Sequence, residues 1–414
     1  MKNRNRVSLF NILSTCLLYG ISFFTAPLFS RLLGTDGYGA VANYTVWVSV
    51  LSVSATLLTY GTLAPAMVEY PEEAQKKYQS SVMTLSLCTF FAVTVLILLF
   101  LGPISRGLRL SPFFIFLILF QSIGTFGINF MNTKLTYEMQ AGKNLILSVG
   151  TSLATLVLSL VLVLLLPQGL KHYGRIVGIA LVYGVLGLIM CLSVLRGGRT
   201  FYAPGYWKFC VPLAIPLVFY NLADLLLGHS DVIMLRQLLD QSTSGVYNYG
   251  YQLGTILFTL FNALNNSWVA FFYADFKQGK TQEVQRQSRN FLELFTVLSA
   301  GFLLLCREVY MLYARQDFWA ATNLVPLFAA SHYLTFLGTF PANYEYYHKK
   351  MKMGAAATIV SCLVNIGLNL VLIQKMGIAG AAVATVLAHG LQFAMHYVYT
   401  RFFLGGKDYI FSVR

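Results

Sequence analysis

Arg31 followed by Val41-Ala42-Asn43-Tyr44, and Arg236 followed by Val246-Tyr247-Asn248-Tyr249, are two copies of one phrase. Every matched residue but the third is identical, and the displacement is 205 positions, about half of a 414-residue chain. Each copy closes one long apolar run and opens the next. Weaker echoes keep the same order: Leu158-Ser159-Leu160-Val161-Leu162-Val163 against Leu368-Asn369-Leu370-Val371-Leu372-Ile373, and Gly178-Ile179-Ala180 against Gly380-Ala381-Ala382. Self-similarity at a fixed period marks a repeated structural unit. In a very apolar chain, a duplicated unit is the plan of a transporter.

Composition places the chain in a bilayer. Hydrophobic residues make up 57% and charged residues 11%, against roughly 25% charged in soluble domains. Too little polar surface remains to cover a soluble fold of this size. Twelve apolar spans are expected, at 7–30, 40–66, 80–102, 111–132, 144–166, 175–195, 209–229, 246–270, 291–312, 322–344, 354–374 and 379–400. Each is close to the roughly 20 residues that a helix needs to cross the hydrocarbon. Strands of a barrel would alternate in polarity and run only about 10 residues. Lys2, Arg4 and Arg6 precede a first run too long for a signal-peptide core, so that helix is expected to stay.

Short loops join the spans, and their charges orient the chain. With the N-terminus inside, twenty of the 29 Lys and Arg fall on the cytoplasmic side and nine outside. Both termini are therefore expected in the cytoplasm of a multi-pass cell-membrane protein. The net charge of +14 then reflects orientation and headgroup attraction, without nucleic acid. The halves meet near Arg199–Pro204, giving six-helix lobes at 1–200 and 201–414. An even number of spans per half makes the repeats parallel. The six cysteines form no CxxC pair and read as packing residues, not disulfides or metal ligands.

Longer stretches carry a resemblance. Arg31-Leu32-Leu33-Gly34-Thr35-Asp36-Gly37-Tyr38-Gly39 is similar to the segment after the first helix of polysaccharide-repeat (Wzx-type) flippases. These belong to the multidrug/oligosaccharidyl-lipid/polysaccharide (MOP) exporter superfamily. Trp207-Lys208-Phe209-Cys210-Val211-Pro212-Leu213, Ser230-Asp231-Val232-Ile233-Met234-Leu235 and Gly245-Val246-Tyr247-Asn248-Tyr249 resemble that family's seventh-helix block. Met376-Gly377-Ile378-Ala379-Gly380-Ala381-Ala382 also fits. Leu239-Asp240-Gln241-Ser242-Thr243 departs from the family pattern.

The resemblance implies an all-α integral membrane protein with about twelve transmembrane helices in two six-helix lobes, a MATE-like MOP fold with parallel repeats around a central cavity. It implies a flippase that moves undecaprenyl-pyrophosphate-linked oligosaccharide by alternating access. The bilayer is its surrounding, and a polysaccharide polymerase with chain-length machinery would be its partners.

Flipping a lipid-linked sugar makes no bond, so no catalytic residue, metal or organic cofactor is expected. It needs cations for pyrophosphate, polar groups for sugar and a titratable group if H+ or Na+ drives it. Arg31 and Arg236 end spans 1 and 7 at equivalent positions, and guanidinium suits phosphate. The plain alternative is that each snorkels to headgroups. Asn221, Asn262 and Asn265 are candidates for sugar hydroxyls, although amides also join helices in lipid. Tyr44 and Tyr251 are candidates for stacking on sugar rings. Asp224 and Asp231 lie seven apart on one face of span 7 and are the ion-coupling candidates. Asp224, the deeper one, reads as the functional carboxylate; Asp231, near the end of the span, reads as structural, in a pair such as with Arg236. Glu345 lies near His348, and the lone His332, His389 and His396 read as packing residues.

Two other classes compete with the flippase. An H+- or Na+-coupled small-molecule exporter of the MATE branch shares the fold but favours acidic, apolar sites. A membrane polymerase predicts a large outer loop with paired Arg or His, and this chain has none. No Walker loop, GxGxxG unit, zinc spacing or Ser-His-Asp order occurs.

Overall fold

The computed structural model describes residues 2–405, with side chains for all of these except 2–16, 19, 22, 263, 266, 267 and 270. The side chains of Lys2, Arg4, Arg6 and Cys16 lie outside the described residues. Helices account for nearly all of the described chain, with no strand among the described residues. In order they are α1 (Lys2–Ser54), α2 (Leu63–Glu69), α3 (Glu72–Leu99), α4 (Leu101–Leu108), α5 (Pro112–Tyr137), α6 (Ala141–Leu165), α7 (Lys171–Gly198), α8 (Pro204–Leu238), α9 (Gln241–Lys277), α10 (Thr281–Tyr313), α11 (Val325–Tyr347), α12 (Met351–Met376) and α13 (Ile378–Val398). A π-turn, Tyr399–Phe403, follows α13.

Expected spans 1 and 2 are arms of α1, broken at Gly34, where φ is 68° and ψ is −178°. Glycine takes a positive φ without a Cβ clash, which explains its place at the break. Among the described residues, eight helices are individually long and apolar enough to cross a membrane, and nine if one bent pair counts as a span. The helices α9 and α11 have the length but are more polar. The former carries Asn262 and Asn265; the latter carries His332 and Glu345.

Span 2 differs from its expected form. Instead of running to residue 66, the helix ends at Ser54, and the chain bends by 48° before Thr59–Glu69. Leu57 and Leu58 take left-handed φ values of 55° and 48°, at about 1–2 kcal/mol each. Backbone freed inside a membrane protein needs an internal partner. Ser86 on α3 supplies one: its hydroxyl donates to the Thr56 carbonyl at 2.6 Å and lies 2.7 Å from the Thr59 hydroxyl. Burial of Leu58, 4% exposed, helps offset the strain.

The chain divides into two compact units, Met1–Leu225 and Leu226–Arg414, with the division inside α8. In the first, α5 packs closely on α7 because small residues let the backbones approach. A Cβ on Gly187 would lie 2.0 Å from the Gly124 carbonyl oxygen, and one on Gly124 would lie 2.2 Å from that of Tyr183. One core of this unit joins Tyr78, Val82, Phe126, Phe130 and Cys210; another joins Tyr44, Val48, Phe114, Ile118 and Ile176. Of the described cysteines, Cys88 is exposed and the other four are buried.

The second unit is held by an aromatic core. Phe261, Trp268, Phe291, Phe295, Phe336 and Phe340 interlock from α9, α10 and α11, with Trp268 stacked on Phe291 at 5.4 Å. The stretch that departs from the family pattern begins α9: Asp240 accepts from the Thr243 amide at 2.8 Å, an N-cap.

Gly187→Val forces backbone apart and is expected to destabilise the first unit by about 1–3 kcal/mol or more. Gly142→Ala, with nothing within 4 Å of the added carbon, is expected to be silent. Thermal unfolding of the two purified variants in one detergent checks this.

Candidate functional site

The most concentrated buried chemistry lies in the second unit, around Asp231 of α8. This residue is 1% exposed. Its Oδ1 accepts from Asn369 Nδ2 of α12 at 2.5 Å, and its Oδ2 accepts from Thr385 Oγ1 of α13 at 2.5 Å. Tyr247 of α9 also donates its hydroxyl to Oδ2. Behind them, Asn365 Oδ1 accepts from Ser230 Oγ at 2.9 Å and from Asn369 Nδ2 at 3.1 Å. Four helices thus converge on one carboxyl group, and these donors are all neutral.

A buried carboxylate without a cation is costly, by several kcal/mol even after relaxation. The cluster also holds two enclosed atoms without partners, Asn365 Nδ2 and Asn369 Oδ1. Buried polar atoms are normally satisfied, so unpartnered amide atoms beside a carboxyl call for an explanation. The arrangement suits either a carboxylic acid or a carboxylate with a bound cation. Its donors come from residues 138 and 154 positions away in sequence as well as from nearby Tyr247.

The other expected site residues scatter. Arg31 is exposed, while Arg236 is half-buried. Asp224 is exposed on α8, so it does not share the environment of Asp231. Asn221, Asn262 and Asn265 are all half-buried. The Asn221 amide donates to Leu217 O of its own helix at 2.8 Å, whereas Asn265 Oδ1 is enclosed without a partner. Tyr251 is half-buried against His229, Phe328 and His332, with ring centroids 5.8, 5.4 and 5.7 Å away.

Tyr44 lies where no sugar ring can stack on it. It is 1% exposed, packed on Phe114, and donates to Gln121 Oε1 at 2.8 Å. Its repeat partner Tyr249 is 2% exposed, so the echo preserves a packing position. Glu345 is likewise not paired with His348. Its two carboxyl oxygens both lie 3.0 Å from His396 Nδ1, and His348 packs against Tyr344 instead, with the rings tilted.

Some residues were missed by the sequence reading. The signal for Thr385 was a polar stripe on α13, at 385, 389, 392, 396 and 400, within an otherwise apolar helix. Arg175, counted as a loop charge, places its guanidinium 3.8 Å from the Phe29 ring centroid. Its Nη1 is enclosed without a hydrogen-bond partner.

Comparison with known proteins gives the fold first, which is shared with a solved MATE family transporter and a solved lipid II flippase. An inward-facing MATE family transporter of the MOP superfamily superposes with a TM-score of 0.68 over 94% of each chain, at 12% identity. The lipid II flippase MurJ, in an inward closed conformation, gives 0.66 over 95% of this chain and 87% of that one, at 15% identity. Residues 6–271 match the family described as "Polysaccharide biosynthesis protein", and the chain belongs to that family. A relative in Haloferax volcanii, named "Probable low-salt glycan biosynthesis flippase Agl15", is 21% identical over 94% of this chain and 81% of its own.

Tyr247→Phe removes one donor from the Asp231 carboxyl and is expected to cost about 1–3 kcal/mol. Arg31→Ala, on an exposed side chain, is expected to stay within about 0.5 kcal/mol. Denaturant or thermal unfolding of both variants in the same micelles compares them.

Proposed function

We propose that this multi-pass membrane protein flips undecaprenyl-pyrophosphate-linked oligosaccharide repeat units from the inner to the outer leaflet of the cytoplasmic membrane, by alternating access, for capsule, O-antigen or exopolysaccharide synthesis. The family match over residues 6–271 carries this reading. The name of the Haloferax volcanii relative and that of MurJ, both flippases, support it. Both termini face the cytoplasm, as the bias of Lys and Arg among the loops argues. A polymerase and chain-length machinery would receive the product outside.

In this reading Arg31 and Arg236 take the pyrophosphate, because a guanidinium offers paired, permanently charged donors. Asn221, Asn262, Asn265 and Tyr251 meet the sugar. The asparagine with an unpartnered acceptor, Asn265, is the best placed to accept from a hydroxyl. Coupling to H+ or Na+ falls to Asp231, whose cluster has orphaned amide atoms beside a carboxyl with neutral donors. Exposed Asp224 serves as an entry group on the same helix.

The second reading is a cation-coupled small-molecule exporter, favoured by the fold likeness to the MATE transporter. Cells carrying Arg31→Ala or Arg236→Ala are expected to make several-fold less surface polysaccharide at unchanged protein level. Wild-type polysaccharide in both would remove the pyrophosphate role, and drug efflux in its place would support the exporter. Asp231→Asn is expected to abolish stimulation by an ion gradient, and Asp224→Asn to weaken it. Transport under imposed proton and sodium gradients, in liposomes, reads both.

A further inference from the structure

Helix α7 opens on two cations. Lys171 is its first residue, and Arg175 lies one turn on, about 6 Å along the axis. Residues four apart share a face, and like charges so placed repel. Both side chains are half-buried. The helix end adds to the positive charge. Its N-cap is Leu170, no side chain caps it, and no acidic residue occupies the first turn. The first amides of an uncapped helix and the helix dipole act in the same sense. Tyr173, stacked on Phe114 at 4.8 Å, holds this turn in place.

Among the described residues, no ion pair joins either cation to a carboxylate. Arg175 Nη1 is enclosed without a hydrogen-bond partner, and the guanidinium carbon lies 3.8 Å from the Phe29 ring centroid. The groups within electrostatic reach of this guanidinium are phenols, Tyr38 of α1 and Tyr183 of α7 itself. A carboxylate in this region, the exposed Asp36, is within electrostatic reach of His172. The second copy has no such pair of cations. Aligned through Gly178 and Gly380, Lys171 and Arg175 fall opposite Ile373 and Gly377.

We infer that the first turn of α7, with Lys171 and Arg175, is a binding site for a phosphate group. A tetrahedral oxyanion accepts from helix N-terminal amides and from both side chains at once. It relieves the repulsion between the two cations, and it neutralises a guanidinium whose cost of desolvation an aromatic ring offsets only in part. With the termini in the cytoplasm, as proposed above, this end of α7 lies at the outer leaflet. Two kinds of lipid carry the required chemistry there: phospholipids, through their headgroups, and a flipped glycan carrier, through its pyrophosphate. Only the second source rests on the flippase reading. The site itself is separate from Arg31 and Arg236 and does not depend on what they bind.

Native mass spectrometry of the full-length protein in a neutral detergent tests this. The probes are phosphatidylglycerol, undecaprenyl pyrophosphate without sugar, inorganic phosphate, and diacylglycerol, which carries no phosphate. Wild type is expected to hold a phosphate-bearing probe and to release diacylglycerol. Arg175→Gln and Lys171→Gln are each expected to weaken that binding about fivefold, the worth of one basic residue at a membrane surface. Lys171→Gln changes a half-buried side chain that forms no ion pair. It should fold like wild type, so it decides the matter even where Arg175→Gln unfolds. Arg175→Lys keeps the charge and should keep most of the binding. Lys375→Gln removes an exposed cation from the second unit and should leave it unchanged. A loss confined to undecaprenyl pyrophosphate identifies the substrate as the source, an equal loss of phosphatidylglycerol identifies the headgroup, and a loss confined to inorganic phosphate identifies the free ion. Affinities unchanged in both Lys171→Gln and Arg175→Gln, or lowered as much by Lys375→Gln, overturn the site and leave Arg175 a structural cation on Phe29. That failure leaves the roles proposed for Arg31 and Arg236 standing, because neither residue is varied.

Discussion

Backbone polar groups inside these helices must find their partners within the protein, and a buried carboxyl group does so at least cost with donors around it, because hydrocarbon offers none. That requirement shapes the second unit. A carboxyl group on α8 draws donors from α9, α12 and α13 to one point, and the helices pack around it. The first unit meets the same requirement in another way. Its backbone break after Ser54 is met by a serine hydroxyl from α3, and its closest helix pair uses glycines, which carry no polar side chain.

The sequence echo aligns the two halves of the chain, yet they bury different chemistry. Subtracting the 205-residue displacement places Asp231 opposite Ala26 and Tyr247 opposite Ala42. The carboxyl cluster therefore belongs to the second copy. The first copy instead encloses part of a guanidinium, Arg175, under the ring of Phe29. A cation–π contact at a desolvated site is worth about 2 kcal/mol. That offsets only part of the cost of taking a guanidinium out of water.

Much of the fold was legible because periodicity and hydropathy are local. Length and apolarity mark the spans, and the echo at 205 residues marks the duplication. The break inside span 2 was not legible: no Gly or Pro occupies 55–58, and burial of leucines holds an unfavourable backbone there. The site was legible in part. Asp231 could be singled out as a carboxyl in an apolar run, but its partners Asn369 and Thr385 are 138 and 154 residues distant. Only tertiary packing shows that they, and not a neighbouring arginine, complete its hydrogen bonds. Tyr44 misled because an aromatic ring in a span carries no mark of whether it faces a ligand or a core.

The bend at Leu57 and Leu58 has a consequence for how the first unit breathes. Two residues in left-handed geometry interrupt the helical ladder, so this short stretch lacks the regular bonds that protect amides elsewhere in the span. Local opening is easiest where backbone bonding is weakest. Amide hydrogens around 56–58 should therefore exchange with solvent well before those in the arms on either side, the Ala55 amide still being held by the Leu51 carbonyl at 2.9 Å. The second arm of α1 and the segment that follows would then move as separate stiff pieces about a joint made of leucine.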